Sequence, residues 1–169
     1  MMDNNVKLGK NVRLGENVVL SGDITIMDDS SIWHNVVLRG DVAPIEIGKR
    51  CNIQDNCVLH GQLNKWQVTI GNNVSIGHSC IIHGAQLADD SFVGMGAIVM
   101  NGSYIGSRVL VAAGSLISQG SRFEDPNTLV MGRPGKVVRK LRENEINMIL
   151  DTPNNYITYA QQWLPENRI

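Results

Sequence analysis

The sequence predicts an all-β fold: a parallel β-helix of about six triangular rungs with a C-terminal α-helical segment. Three observations predict it. Aliphatic residues recur every six positions from Leu8 to Ile117, a glycine often follows them, and no helical pattern interrupts until the C-terminus. A period of six matches neither a 3.6-residue helix nor the two-residue alternation of a plain strand. It fits a short strand and a turn, repeated.

The repeats begin Leu8-Gly9, Leu14-Gly15, Leu20, Ile26, Ile32, Leu38. The count slips by three residues near Asp41 and resumes at Ile47-Gly48, Ile53, Leu59. It slips by five over residues 61–67 and resumes at Ile70-Gly71, Ile76-Gly77, Ile82. After one missing residue it runs through Leu87, Val93-Gly94, Val99, Ile105-Gly106, Val111 and Ile117, for 18 repeats in all. Three units close one rung, so the aliphatic residues point into the prism and the slips bulge outward as loops. A second, smaller core position lies two residues earlier, as at Val6, Val12, Val18, Ile24 and Val36. Cys51, Cys57 and Cys80 all fall there, as small buried hydrophobes, with Cys57 and Cys80 on adjacent rungs. The glycine after the aliphatic residue is expected to take backbone geometry that other residues resist.

Residues 121–134 are expected to leave the coil, with Met131-Gly132-Arg133-Pro134-Gly135 as a turn. Residues 137–150 read as helical, and Thr152-Pro153 as the N-cap and first position of a further helix over 153–164. Its stripe of Tyr156, Ile157, Ala160 and Leu164 would pack back on the prism or on a neighbouring subunit. The chain divides into a repeat domain, residues 1–120, and a C-terminal turn and helical segment, residues 121–169.

Composition narrows the function. A net charge of −1 over 169 residues creates no field for nucleic acid or an anionic membrane. No apolar run spans a bilayer. Met1-Met2-Asp3-Asn4-Asn5 lacks the basic and apolar regions of a signal peptide, so a cytoplasmic protein is expected. Three cysteines, an odd count, argue against a disulfide framework.

The chemistry-bearing residues cluster over residues 39–83. Arg39, His60 and His83 each directly follow an aliphatic residue in the sixth, ninth and twelfth repeats, so they form one column with neighbours about 4.8 Å apart. Two imidazoles so close on a surface suggest a shared metal. His78 lies on another face, in a column with His34 and Asp55. Five extended residues separate it from His83, roughly 16 Å, whereas a histidine holds a metal about 6 Å from its Cα. His78 of the same chain is therefore out of reach, while a symmetry-related His78 in a threefold ring of prisms could reach the site. His34 is read as an ordinary hydrogen-bonded side chain.

The ordered set Arg39-Gly40-Asp41, Ile53-Gln54-Asp55, His60, Gly77-His78 and His83 resembles that of the gamma-class carbonic anhydrases, in the bacterial branch of the YrdA-like and PaaY/CaiE-like proteins. Their hexapeptide repeats build a left-handed parallel β-helix, and the resemblance implies that hand here. It also implies a homotrimer with interfacial metal sites: His60, His78 and His83 as ligands of Zn2+, with Fe2+ or Co2+ as alternatives. Arg39, Asp41 and Asp55 would be subunit-bridging charges and Gln54 a neighbour of the reacting water. The implied reaction is reversible CO2 hydration by a metal-bound hydroxide. The best-studied members carry a glutamate after Arg-Gly-Asp and a proton-shuttle glutamate in an acidic loop. Here these places hold Val42 and the carboxylate-free loop 61–67, so turnover is expected to depend on buffer. Tyr156 is a candidate polar group at the site, and Trp66 a candidate cap or interface anchor. Two alternatives stand beside this reading. One is an acyl-CoA thioesterase or acyltransferase on the same scaffold, and the other a non-catalytic trimeric metal-binding accessory protein.

Overall fold

The computed structural model describes residues 5–165; Met1 to Asn4, part of the N-terminal stretch read above as lacking a signal peptide, lie outside them. The repeats wind into a parallel solenoid with three faces. One face stacks Arg13–Leu14, Ser31–Ile32, Asn52–Ile53, Ser75–Ile76, Phe92–Val93, Val109–Val111 and Thr128–Gly132. The other two are joined at a corner by the long strands Val19–Ile26 and Val37–Ile47. On one side of that corner the stack continues through Val58–His60, Ile81–His83, Ile98–Val99 and Leu116–Ile117. On the other it runs from Val68–Ile70 to Arg122–Phe123.

Strict register makes the core. Leu14, Ile32, Ile53, Ile76, Val93, Val111 and Val130 pair in succession, and all but Leu14 are almost fully buried. Each fully buried aliphatic side chain contributes about 1.5–3 kcal/mol relative to its exposed state. The three cysteines occupy the small core position, all buried and free. Burial pushes the Cys51 thiol up to about 12, so it stays protonated and inert. Cys57 is likewise raised, first by its hydrogen bond with Cys80 and then by burial.

The glycines do a different job from the one expected. Gly15 and Gly77 are not in the left-handed region. A Cβ on Gly77 would sit 2.8 Å from the Met95 nitrogen, and one on Gly15 2.7 Å from that of His34. They are glycines because the next rung passes too close for a side chain. The left-handed turn residue comes three positions after the aliphatic one, and is often Asn or Asp: Asn11, Asn17, Asp29, Asn35, Asn56, Asn73 and Asp90. Those side chains bond from rung to rung, as Asn11 does to Asp29 and Asn73 to Asp90.

Three C-terminal expectations are corrected. Residues 121–134 do not leave the coil at once: Arg122–Phe123 and Thr128–Gly132 still pair in parallel with the rungs before them. The turn at residues 131–135 then folds Gly135–Lys140 back as an antiparallel strand. It covers the edge of the last rung, and the β-branched pair Val137-Val138 suits a strand. The rest is one helix, Glu143–Trp163, with Pro153 inside it rather than at a start. Losing one helical hydrogen bond at a proline costs about 3 kcal/mol. Here Ile149, Pro153 and Ala160 are all buried, and packing on the prism holds the helix through the break. Arg13 Nη1 donates to the Leu164 carbonyl at 3.1 Å, and Arg50 bonds Asn154, fixing the helix along one face as the apolar stripe implied.

At the helix start, Glu145 accepts from the Arg142 nitrogen at 2.8 Å and pairs with both Arg139 guanidinium nitrogens at 2.7 Å. Arg139 above all, then the Arg142 amide, hold its carboxyl down from 4.5 to about 2. A depressed carboxylate stabilises the fold above its ordinary value and loses that contribution as pH falls through the folded one. Glu145→Gln is expected to lower the melting temperature at pH 7, and the gap to the parent should close between pH 4.5 and about 2 in melts followed by circular dichroism.

The corner glycines make a second prediction. A Cβ on Gly40 would lie 2.2 Å from the Asp23 carbonyl oxygen, a backbone atom that cannot swing aside. Gly40→Ala is expected to cost about 1–3 kcal/mol in urea unfolding.

Candidate functional site

The corner that follows the Val58–His60 and Ile81–His83 strands is unlike the others. Where the other corners often place glycine after the aliphatic residue, this one has none there and places Arg39, His60 and His83 on successive rungs. The ladder pairs Arg39 with His60 and His60 with His83, so the predicted column is present. His60 Nδ1 lies 3.2 Å from His83 Nε2, and the rings meet edge to face with centroids 5.1 Å apart.

The other nitrogen of each ring has a fixed neighbour. His83 Nδ1 is 2.5 Å from Asn101 Oδ1, and His60 Nε2 is 3.0 Å from Asp41 Oδ1. An amide oxygen and a carboxylate only accept, so each is placed to take a ring proton, the arrangement that leaves the facing nitrogen with a lone pair. Arg39 Nη2 also lies 2.9 Å from His60 Nε2. One nitrogen cannot donate to Asp41 and accept from Arg39 at once. With the proton directed at Asp41, the Arg39 guanidinium is left with its 3.4 Å ion pair to the other Asp41 oxygen.

His78 follows the Ser75–Ile76 strand on a different face, as its register predicts. Its Nδ1 lies 2.8 Å from Asp55 Oδ2, and its side chain is 43% exposed. A proton shared with Asp55 leaves Nε2 bare. Each of the three histidines thus has, beside one ring nitrogen, an acceptor of the kind that orients a metal-binding imidazole. His34 accepts from the Glu16 amide at 2.9 Å, an ordinary structural bond.

Gln54 is buried beside Asp55. Its Nε2 donates to Asn52 Oδ1 at 3.0 Å, and Asn52 Nδ2 donates to Ser75 Oγ at 2.8 Å. The amide nitrogen is committed to this chain, which leaves the oxygen as the acceptor Gln54 can offer. Tyr156 packs edge to face against Trp33, with centroids 5.4 Å apart, and against Tyr159. Burial, then the negative charge of Asp55, raise its hydroxyl above the usual tyrosine value, so it remains a proton donor at neutral pH. Trp66 turns along the corner toward Gly84 and Gly102, where a Cβ would come within 2.8 and 3.0 Å of it.

Sequence reasoning missed Asn52 and Asn101. Asn52 sits one place before the Ile53-Gln54-Asp55 motif, a polar residue inside a wholly buried strand pair. Asn101 is one of many asparagines in the chain, and nothing in its spacing sets it apart.

The donor set fits a divalent metal. Bonds of about 2.0–2.1 Å at tetrahedral angles place two nitrogen ligands about 3.3–3.4 Å apart, close to the observed 3.2 Å. Within one chain, among the described residues, no three His, Cys, Asp or Glu side chains converge on such a point.

Comparison with known proteins accords with the fold. Residues 5–40 match the family described as bacterial transferase hexapeptide (six repeats), and residues 67–101 the hexapeptide repeat of succinyl-transferase. The mitochondrial gamma carbonic anhydrase 2 of Arabidopsis thaliana is 44% identical over 146 residues, covering 82% of this chain and 51% of that protein. The chain thus spans about half the length of this plant relative. The carbonic anhydrase of Geobacillus kaustophilus is 40% identical over 138 residues, covering 82% and 75% of the two chains. A Bacillus cereus crystal structure, described as a candidate acetyltransferase, superposes with a TM-score of 0.90 at 36% identity, covering 94% and 91%. By fold this is a hexapeptide-repeat protein. Within that class, the chain belongs to the gamma carbonic anhydrase family.

Proposed function

We propose that the protein is a metal-dependent carbonic anhydrase that reversibly hydrates CO2 at three-histidine sites shared between the subunits of a homotrimer. The observation that carries this reading is the pair His60 Nδ1 and His83 Nε2. A contact of 3.2 Å between two ring nitrogens holds either a proton or a metal ion, and with the ring protons directed at Asp41 and Asn101 both lone pairs face inward, as a metal requires. The third ligand in this reading is His78 of a neighbouring chain, whose Nε2 is free and whose side chain is exposed. Zn2+ suits three imidazoles with an open fourth position, and Fe2+ and Co2+ accept the same donors. A bound metal would supply the Lewis acid that makes a nucleophile of water near neutral pH.

The surface around the column supports the trimer. Val19, Val37, Val58, Ile81, Ile98 and Leu116 pair in one continuous outward ladder on the His60 face. Val19, Val58 and Ile81 are exposed in the single chain. An aliphatic ladder on an outer face is the core of an interface. Closing it on a neighbour's His78 face would bring Arg39 near that neighbour's Asp55 and free His60 Nε2–H for Asp41. Gln54 would offer its oxygen to a proton of the reacting water, and Tyr156 would add a neutral hydroxyl beside Asp55. Val42 and loop 61–67 supply no carboxylate to relay a proton, so release to buffer is expected to limit the rate.

Acyl transfer is the second reading, favoured by the Bacillus cereus relative. Against it, neither His60 nor His83 stands alone as a base, since each is tied to the other and to a fixed acceptor.

Stopped-flow CO2 hydration on metal-quantified protein, loaded with Zn2+ or anaerobically with Fe2+, tests the reaction. Activity that requires metal and rises with buffer concentration is expected. Full occupancy without hydration, together with acyl-CoA hydrolysis, would replace this reading with the second. Sharing between subunits is tested by exchange. His60→Ala and His78→Ala should each fold and lose metal, and mixed trimers of the two should recover part of the metal, read by atomic absorption after verified subunit exchange. Retention of about one metal per subunit by His78→Ala would refute the shared site.

A further inference from the structure

Asn101 is the one acceptor in the histidine cluster that is not a carboxylate, and both ends of its amide are engaged. Oδ1 lies 2.5 Å from His83 Nδ1, while Nδ2 donates to Gln62 Oε1 at 2.7 Å. Gln62 belongs to loop 61–67, which closes on itself: the Gln62 amide donates to the Trp66 carbonyl at 2.7 Å, and the Trp66 amide returns to the Gln62 carbonyl at 3.2 Å. The space for this arrangement depends on Gly84, which adopts φ +55°. A Cβ there would lie 2.5 Å from Asn101 Oδ1 and 2.8 Å from the Trp66 Cβ. Asn101 itself is buried. With Gln62 in this orientation, rotating the Asn101 amide by half a turn would set oxygen against Gln62 Oε1 and lose that bond.

We propose that Asn101, locked by Gln62, is the positioning residue that sets the tautomer and ring orientation of His83. Loop 61–67 then acts on the site through this amide, and holds the ligand rather than carrying protons. An amide oxygen can only accept, so His83 keeps its proton on Nδ1 and offers Nε2, the nitrogen that faces His60. A carboxylate at this place would also accept, but it would add a negative charge that the neutral amide withholds. The proposal rests on reading His83 as a metal ligand, and its first test is made without metal so that the two can fail separately.

That test is the tautomer of His83 in metal-free wild-type protein, read from long-range proton–nitrogen couplings of 15N-histidine-labelled samples. Protonated Nδ1 with bare Nε2 is expected; protonated Nε2 overturns the proposal, whatever the protein does with metal. Metal affinity is then measured by chelator competition. Asn101→Leu should release the tautomer and weaken metal binding 10–100-fold, the usual effect of losing the partner that orients a ligand. Asn101→Asp keeps the acceptor and should stay within a few-fold of wild type, a rescue that a purely structural corner residue would not show. Gln62→Ala, in the exposed loop, should weaken binding less than Asn101→Leu and leave the trimer folded. Equal affinity in wild type, Asn101→Leu and Gln62→Ala overturns the proposal. If Asn101→Leu does not fold, the wild-type tautomer and Gln62→Ala decide.

Discussion

Parallel strands held in register from rung to rung, apart from one shift between Gly22 and Ile24, are the constraint on which this structure depends. Each rung repeats the one below at a strand spacing of about 4.8 Å, so a residue type chosen at one position meets its counterpart three repeats later. The rule that stacks Ile32 on Ile53 and Ile76 in the core also stacks Arg39 on His60 and His83 outside it. Insertions that would ruin an ordinary sheet are harmless at corners. The seven-residue loop 61–67 leaves the prism after one strand and returns to the next face in register.

The same rigidity lets a surface site be ordered. His60 and His83 are fixed at their Cα atoms by ladder hydrogen bonds, and their rings by Asp41 and Asn101. His78 is treated alike by Asp55 on its own face. The chain thus gives each of three imidazoles an acceptor partner but keeps one of them apart, on a surface that a second copy would have to approach. This division explains why the apolar ladder and the histidine column share a face: association and completion of the site are one event in the proposed trimer.

Departures from the expected C-terminus have a common cause. Local signals favoured a helix from residue 137 and a fresh start at Pro153, and each is a fair local reading. Pairing with Thr128–Gly132 turned residues 135–140 into a strand, because the last rung otherwise exposes an edge. Burial of Ile149, Pro153 and Ala160 against the prism outweighed the single bond that proline removes. Glycine after the aliphatic residue was read as a conformational need and proved to be a spatial one. Short-range patterns do not reveal how closely the next rung passes.

The sequence alone determined the solenoid, its triangular section and the column of Arg39, His60 and His83, because a six-residue period leaves the chain little choice of register. It also separated His78 from that column, since spacing along an extended chain is a distance. What only the tertiary structure decided lies between rungs. Asn101 and Asn52 resemble the many turn and ladder asparagines around them, and only the path of loop 61–67 and the buried row beside Gln54 distinguish them. Hydrogen-bond direction is set by which atoms face each other across space. No periodicity in the chain encodes that, so the protons that prepare the histidines became legible only once the coil was closed.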